Sequence, residues 1–408
     1  MLGRRMDGRF VTLAVVGCYF ATLALVGSSS FWRHAGVPGM SPSFADTRTI
    51  TAGWECTRKG LAVIPHNPCD PWHRPVNYPR LWMAPAGLGF GQGATVLLGV
   101  AAGLSFLAAV FWLAGRLTLI EGLVYAFALC SPAVMLAVER GNNDLVVFCI
   151  VTIALAAFRR STLGRAVGHG LLLFAAMLKL YPAFAFVVLL RQRRSWALVG
   201  TGAVALAFAT YFLVTLDNVR PIERVSPQVS AYSYGVGVLA DEQGAGGLLG
   251  ATAREAIFVV LGLAAIAALA RLRRRVPMPS SDLSTDAFCA GSAIYCGSYL
   301  TFQSFDYRLI FLLLTLPELL RWSRLGSSPL PFPGVAIAMM LAALWLGTLL
   351  PVLPAPFDRL WSLPRPVDEY LNWMLFVYLG AGTLVTALSA WRWPLRPHVP
   401  ARAASAAQ

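Results

Sequence analysis

Charged residues are scarce in this chain of 408: Asp, Glu, Lys and Arg together make up 13% of it, and lysine occurs only as Lys59 and Lys179. Also missing are a Walker A loop, a dinucleotide fingerprint, an HExxH pair and a nucleophile elbow, so no nucleotide, zinc-peptidase or serine-hydrolase chemistry announces itself. No connection between apolar runs on the basic side is long enough to fold into a soluble nucleotide-using domain. What the chain has in quantity is apolar residue, 57% of it, in runs of membrane-spanning length that recur from end to end. The fold class expected is therefore an all-α polytopic membrane protein forming a single integral membrane domain. A net charge of +14 would suggest nucleic acid in a soluble domain. Here the basic residues gather at the ends of the apolar runs, as the positive-inside rule leads one to expect. The charge then reports topology, with membrane lipid as a further partner and no nucleic acid.

Arg4, Arg5 and Arg9 precede an apolar run at 10–27 with no convincing small-residue cleavage site after it. The run is expected to be a retained first span, with the amino terminus cytoplasmic and residues 28–93 forming a long polar loop outside. Spans at 94–114, 117–138 and 145–158 follow, and Glu139-Arg140-Gly141-Asn142-Asn143-Asp144 lies at the outer face between the last two. Residues 166–190 are apolar for the length of one span, yet Arg159, Arg160 and Arg165 precede them and Arg191, Arg193 and Arg194 follow. One crossing would leave a basic cluster outside. A hairpin broken at Lys179-Leu180-Tyr181-Pro182 keeps both clusters inside, because proline removes a helix donor and disfavours helix at the residue before it. Two such arms are short for a bilayer core of roughly 30 Å, so they must tilt, thin the membrane or end in a water-filled cavity. The same argument breaks 287–320 at Ser304-Phe305-Asp306-Tyr307-Arg308, between the cluster of Arg271, Arg273, Arg274 and Arg275 and that of Arg321 and Arg324. With spans at 195–214, 248–270, 332–350 and 370–388, the expectation is about twelve spans, some short or broken, with both termini inside. External loops then fall at 28–93, 215–247 and 351–369, and a cytoplasmic tail at 391–408. Among the acids, only Asp7, Glu121, Asp282, Asp286 and Glu318 fall on the inner side, a bias that long polar outer loops would produce by themselves.

Cys18, Cys130, Cys149, Cys289 and Cys296 lie in apolar spans, where cysteine is a small hydrophobe. Cys56 and Cys69 share the first external loop. In an oxidising compartment they would close a small loop and stabilise it by roughly 3 kcal/mol on the chain-entropy estimate. A zinc site with His66 and His73 is the alternative, although the cysteine spacing matches no common zinc pattern.

Polar chemistry is left to groups at the outer helix ends: Asp46; Glu139, Arg140, Asn142, Asn143 and Asp144; Lys179 and Tyr181; Asp306, Tyr307 and Arg308. A carboxylate in a partly dry cleft can act as general base toward a hydroxyl, and Arg or Lys can neutralise a departing phosphate. Each group also has a plain role open to it. Asp46 is a loop carboxylate or helix cap, 142–144 cap the helix that starts at 145, Lys179 and Tyr181 anchor at the interface, and Arg308 pairs with Asp306.

Asn142-Asn143-Asp144-Leu145 opening an apolar helix, a basic turn, then Met177-Leu178-Lys179-Leu180-Tyr181-Pro182 and a second basic turn resemble the core of glycosyltransferase family 87. These are bacterial membrane mannosyltransferases of the C superfamily, which take sugars from polyprenyl phosphates. Phe44-Ala45-Asp46 and Asn77-Tyr78-Pro79 stand where that family has an Asp in the first external loop and a Tyr-Pro element before the second span. The resemblance covers roughly the first half of the chain, and the rest matches in hydropathy and topology. The chain departs from the family where Arg140-Gly141-Asn142-Asn143 replaces a common Gly-Gln-x-Asn, and in Asp46 standing alone where many members have adjacent acids.

The resemblance implies the GT-C fold in a bacterial plasma membrane, with the active site on the external face. It also implies a metal-independent or metal-optional inverting transfer of a sugar, mannose foremost, from a polyprenyl-phosphate donor to a glycan or glycolipid acceptor, without a cofactor. Asp46 would be the catalytic base. Lys179, with Arg140 and Arg308 from the topology argument, would bind the donor phosphate, and Asn142, Asn143, Asp144, Tyr78, Tyr181 and Asp306 would line the substrate site. The other reading is a transporter or flippase for a lipid-linked or small polar solute, which broken helices also suit. Against it, the charged groups sit at outer ends and the two halves show no repeat.

Overall fold

The structure, a computed structural model, describes residues 7–26, 32–33, 35–192, 196–225, 232–242, 250–273, 282–301, 303–326, 328–349 and 364–392. The expected third external loop over 351–363, parts of the second at 226–231 and 243–249, and the tail beyond Arg392 lie outside the described residues. So do Arg193, Arg194, Arg274 and Arg275.

Helix dominates the described residues, with one two-residue antiparallel pairing between Ser233–Tyr234 and Ser304–Phe305. Gln92–Ala114, Ala197–Val214, Ala251–Arg271 and Val367–Ser389 are long and apolar enough to cross a membrane, and the pair Leu119–Leu129 and Pro132–Arg140, bent by 55°, makes a fifth such segment. That bend follows from sequence: Ser131 caps a helix that has Pro132 in its first turn, so the preceding helix must stop and a new one start at another angle. Several of these helices turn apolar side chains outward. Only 6% of the apolar window of Ala251–Arg271 is buried, and Val260, Leu261 and Leu263 are exposed along it. A helix apolar all round and uncovered by protein needs lipid to cover it, so this is a membrane-embedded helical protein.

Among the shorter apolar helices, Asp144–Ala157 is largely buried in the interior. Thr162–Leu178 stops ahead of Pro182, with Lys179 in an extended conformation. The chain resumes as the 3-10 segment Tyr181–Arg191, which packs back on Thr162–Leu178 and against Leu283–Leu300. Runs of 3-10 helix beyond three or four residues are uncommon. Here the winding has a use: eleven residues at ~2.0 Å each span ~22 Å, close to the ~26 Å of the seventeen-residue α-helix they follow. The second expected break is also present, with Leu283–Leu300 followed by Ser304–Phe305 and the 3-10 segment Asp306–Leu314.

At the centre, Phe148 meets Phe106 edge-on at 4.9 Å and lies 6.0 Å from Phe311. Close helix approach depends on particular glycines. A Cβ at Gly291 would lie 2.6 Å from the Phe311 carbonyl oxygen and 2.7 Å from Leu314 Cβ, so Leu283–Leu300 and Asp306–Leu314 can sit this close only without a side chain there. Gly291→Ala should therefore overpack the contact and destabilise the protein by about 1–3 kcal/mol. Gly202→Ala, on an open face where an added Cβ meets nothing within 4 Å, should be neutral or mildly stabilising. Thermal unfolding of the detergent-solubilised variants checks the pair, and equal melting temperatures would contradict the packing argument.

Candidate functional site

Helix Asp144–Ala157 and helix Thr162–Leu178 form a hairpin, so the start of the first and the end of the second lie side by side. Asp144 opens one and Lys179 closes the other. Lys179 Nζ donates to Asp144 Oδ1, and Arg308, at the start of the 3-10 segment Asp306–Leu314, places Nε 3.7 Å from Asp144 Oδ2. Asp144 is fully buried and Lys179 nearly so. A charge taken out of water persists only when paired and hydrogen-bonded. Aromatic faces complete the surroundings: Lys179 Nζ lies 5.3 Å from the Tyr78 ring centre and 5.9 Å from that of Tyr307, and the Arg308 guanidinium lies 4.2 Å over Tyr181.

Asn142 joins this buried group to Asp46. Its Oδ1 accepts from the Asp144 amide at 2.8 Å and from Lys179 Nζ at 3.4 Å, and its Nδ2 donates to Asp46 Oδ2 at 2.6 Å. Donors on one side and a carboxylate on the other fix the amide's orientation. The turn that delivers it needs Gly141 in the left-handed region, and Thr47 Oγ1 donates to the Gly141 carbonyl at 2.6 Å. Asp46 lies in the first turn of helix Ala45–Arg58, where the helix dipole favours an anion. Its side chain keeps 15% of its exposure, and Arg74 Nη1 stands 3.6 Å from Oδ1. Burial pushes the Tyr78 hydroxyl well above its ordinary pKa, and the Asp46 carboxylate pushes the same way, so Tyr78 stays a protonated donor beside the site.

The segment 45–88 is built onto this site. Ile50, Trp54, Val76, Tyr78 and Ala86 form a small core of their own. Trp54 Nε1 donates to the Trp82 carbonyl at 2.6 Å, and Trp82 Nε1 to the Leu178 carbonyl at 3.0 Å. The second bond docks the loop on the helix end from which Lys179 projects. Cys56 and Cys69 form a disulfide with a Cα separation of 5.8 Å, which leaves no thiolate for a zinc site with His66 and His73.

Other expected site residues are placed differently. Arg140 turns to residues 38–40: Nη2 donates to the Pro38 carbonyl at 2.9 Å, Nη1 meets Met40 Sδ, and Nε lies 3.2 Å from Glu139 Oε2. It takes no part in the pairing of Asp144 with Lys179 and Arg308. The structural partner expected for Arg308 is also corrected: Arg308 pairs with Asp144 and donates to Ser304 Oγ at 2.9 Å, not to Asp306. Asp306 is buried with its carboxylate against Gly347, where Asp368 also points. Asn143 makes no side-chain cap to the helix that follows it, and its buried Nδ2 meets no hydrogen-bond partner among the described residues. The Asp144 amide is bonded by Asn142 instead. Two members of the site escaped the sequence reading, Asp70 and Arg74: they stand four apart, but in a turn, where the helical i,i+4 rule gives no expectation of pairing.

Chemically, two cations face one buried carboxylate, and a second, partly open carboxylate is wired to that group by a single amide. Such a set can hold an anion near Lys179 and Arg308 while Asp46 accepts a proton. Compared with protein-family models, with curated proteins and with solved structures, the chain matches none.

Removing one partner of a buried pair strands the other. Lys179→Met alone should destabilise the protein by about 3–5 kcal/mol, since Arg308 at its longer distance compensates Asp144 only in part. Adding Asp144→Asn should recover part of that loss, with a coupling of about 0.5–3 kcal/mol in the double-mutant cycle. Melting temperatures of the two single variants and the double variant check this, and strict additivity would mean the pair is not coupled.

Proposed function

We propose that the protein is a membrane glycosyltransferase that moves a sugar, mannose foremost, from a polyprenyl phosphate to a hydroxyl of a glycan or glycolipid acceptor at the outer membrane face. One observation carries the reading: a single amide, Asn142, joins the partly exposed Asp46 to a buried carboxylate flanked by Lys179 and Arg308. Asp46 Oδ2 is occupied by Asn142, and Oδ1 accepts no hydrogen bond from the described residues. Oδ1 would take the proton of the acceptor hydroxyl as its oxygen attacks the anomeric carbon. The carbon–oxygen bond to the phosphate breaks on the opposite face, inverting the centre. Negative charge then grows on the departing polyprenyl phosphate, where Lys179 and Arg308 would stabilise it more in the transition state than in the ground state. Tyr78 and Tyr181, whose rings carry these two cations, would line the donor pocket, and the buried Asp306 the rear of the site.

The proposal extends to topology: about twelve spans in a bacterial plasma membrane, both termini cytoplasmic and the 28–93 loop outside. In a Cys-depleted background, a single Cys at Gly60 should react with a membrane-impermeant maleimide in intact cells, and one at Arg160 only after permeabilisation. Labelling of position 160 from outside would break the hairpin topology.

Asp46→Asn should lower transfer by about 10²–10⁴-fold, because the amide keeps the side chain's shape but cannot accept the acceptor's proton. The assay is transfer of radiolabelled mannose from polyprenyl phosphate in membranes carrying wild type or variant at matched expression. Full activity in Asp46→Asn would remove the base assignment. A wild type that transfers no sugar from any polyprenyl phosphate but moves the lipid across the bilayer would favour the flippase reading, which needs no proton acceptor.

A further inference from the structure

The turn after the disulfide is wrapped around one carboxylate. Asp70 is almost fully buried; its Oδ1 accepts from the Trp72 amide at 2.9 Å, and its Oδ2 from Thr49 Oγ1 at 3.3 Å. The Arg74 guanidinium grips the same carboxylate with both arms, Nε to Oδ1 at 3.4 Å and Nη2 to Oδ2 at 3.1 Å. Nη2 also donates to the Ala45 carbonyl at 2.6 Å, and the plane lies 4.6 Å over the Trp72 ring. What remains is Nη1, and it faces Asp46 Oδ1 at 3.6 Å.

Ala45, Thr49 and Cys56 recur at helical spacing, so one face of Ala45–Arg58 lies along the turn 67–74. The disulfide fastens the far end of that face to Cys69, directly before Asp70, and Arg74 fastens the near end at Ala45. Gln92 adds a third tie, its Nε2 donating to the Cys69 carbonyl at 2.8 Å. With its other arms committed, Arg74 has little capacity left to grip a ligand, and its 27% exposure is at the rim of the site.

We infer that Arg74 is the positioning residue of Asp46, held in place by Asp70 and the Cys56–Cys69 turn, and that it aims the Oδ1 lone pairs at the acceptor. This rests on the base assignment proposed for Asp46 in its kinetic consequence, but not in its structural one. Asn142 and Arg74 grip the carboxylate from opposite sides, so loss of Arg74 leaves it pivoting on a single hydrogen bond. A lysine at 74 keeps a charge but loses the two-armed grip on Asp70.

Two measurements test the inference on Arg74→Lys, on the charge-neutral double variant Asp70→Asn/Arg74→Gln, and on Cys56→Ser/Cys69→Ser. The first is hydrogen–deuterium exchange of the peptide covering residues 44–54, which needs no activity. All three variants should exchange faster there than wild type while the peptide covering 144–157 is unchanged. The second is mannose transfer. The double variant should lose kcat by about 10²-fold, the scale of a misaimed group, with acceptor KM nearly constant, and Arg74→Lys should recover part of it. Unchanged exchange at 44–54 overturns the inference whatever the kinetics show. A rise in KM at constant kcat also overturns it, since Arg74 would then bind acceptor. If wild type transfers no sugar, the glycosyltransferase reading falls, and the exchange result decides the positioning role alone.

Discussion

The pairing of Asp144 with Lys179 inside an apolar bundle constrains everything around it. Two charges out of water are tolerated only in good geometry, so the segments carrying them must end at one depth. Fourteen residues of helix descend from Asp144 and seventeen return to Leu178, ~21 Å and ~26 Å of rise, with a basic turn between. Both are shorter than the ~30 Å core of a bilayer. The charges sit at the open end of this hairpin, beneath the loop that follows helix Ala45–Arg58. That loop closes over them through Trp82, bonded to the Leu178 carbonyl.

The same constraint accounts for what could be read in the sequence. A charged residue a few positions before a proline within an apolar run marks a helix break, and Lys179 with Pro182 marks one here. The run Asn142-Asn143-Asp144 before an apolar helix, and Arg308 after a polar interruption, are visible for the same reason: polar groups in an apolar chain stand out. Partners are another matter. Asp306 is two residues from Arg308 and looked like its mate, yet side chains two apart at the start of a 3-10 turn diverge, and Arg308 reaches Asp144 across 164 positions of sequence instead. Arg140 adjoins Gly141 in the left-handed region, which swings the following Asn142 into the site while Arg140 stays with residues 38–40.

Arg74 was illegible for a further reason. Residues 28–93 hold many polar and charged residues, so one more Arg among several carries no signal of its own. Its importance comes from a fold that only the disulfide, Asp70 and a five-residue core specify together. Residues in apolar segments announce themselves by contrast, and residues in polar loops only by contact.

The site therefore divides into a lower tier of paired charge and an upper tier in which Asp46 Oδ1 accepts no hydrogen bond from the described residues. In the lower tier Asn142 Oδ1 takes donors from both Asp144 and Lys179, so the amide cannot rotate without stranding two buried groups. Its Nδ2 is thereby forced to face Asp46, which fixes Oδ2 and leaves Oδ1 toward Arg74 Nη1, 3.6 Å away. A carboxylate held this way has its orientation decided before any ligand arrives. The cost was met in folding, and little reorganisation is left for a reaction step. A second carboxylate in place of Asn142 would repel Asp46 and could offer it no donor when ionised. An amide at this one position is what lets a buried ion pair and an open acid share a wall.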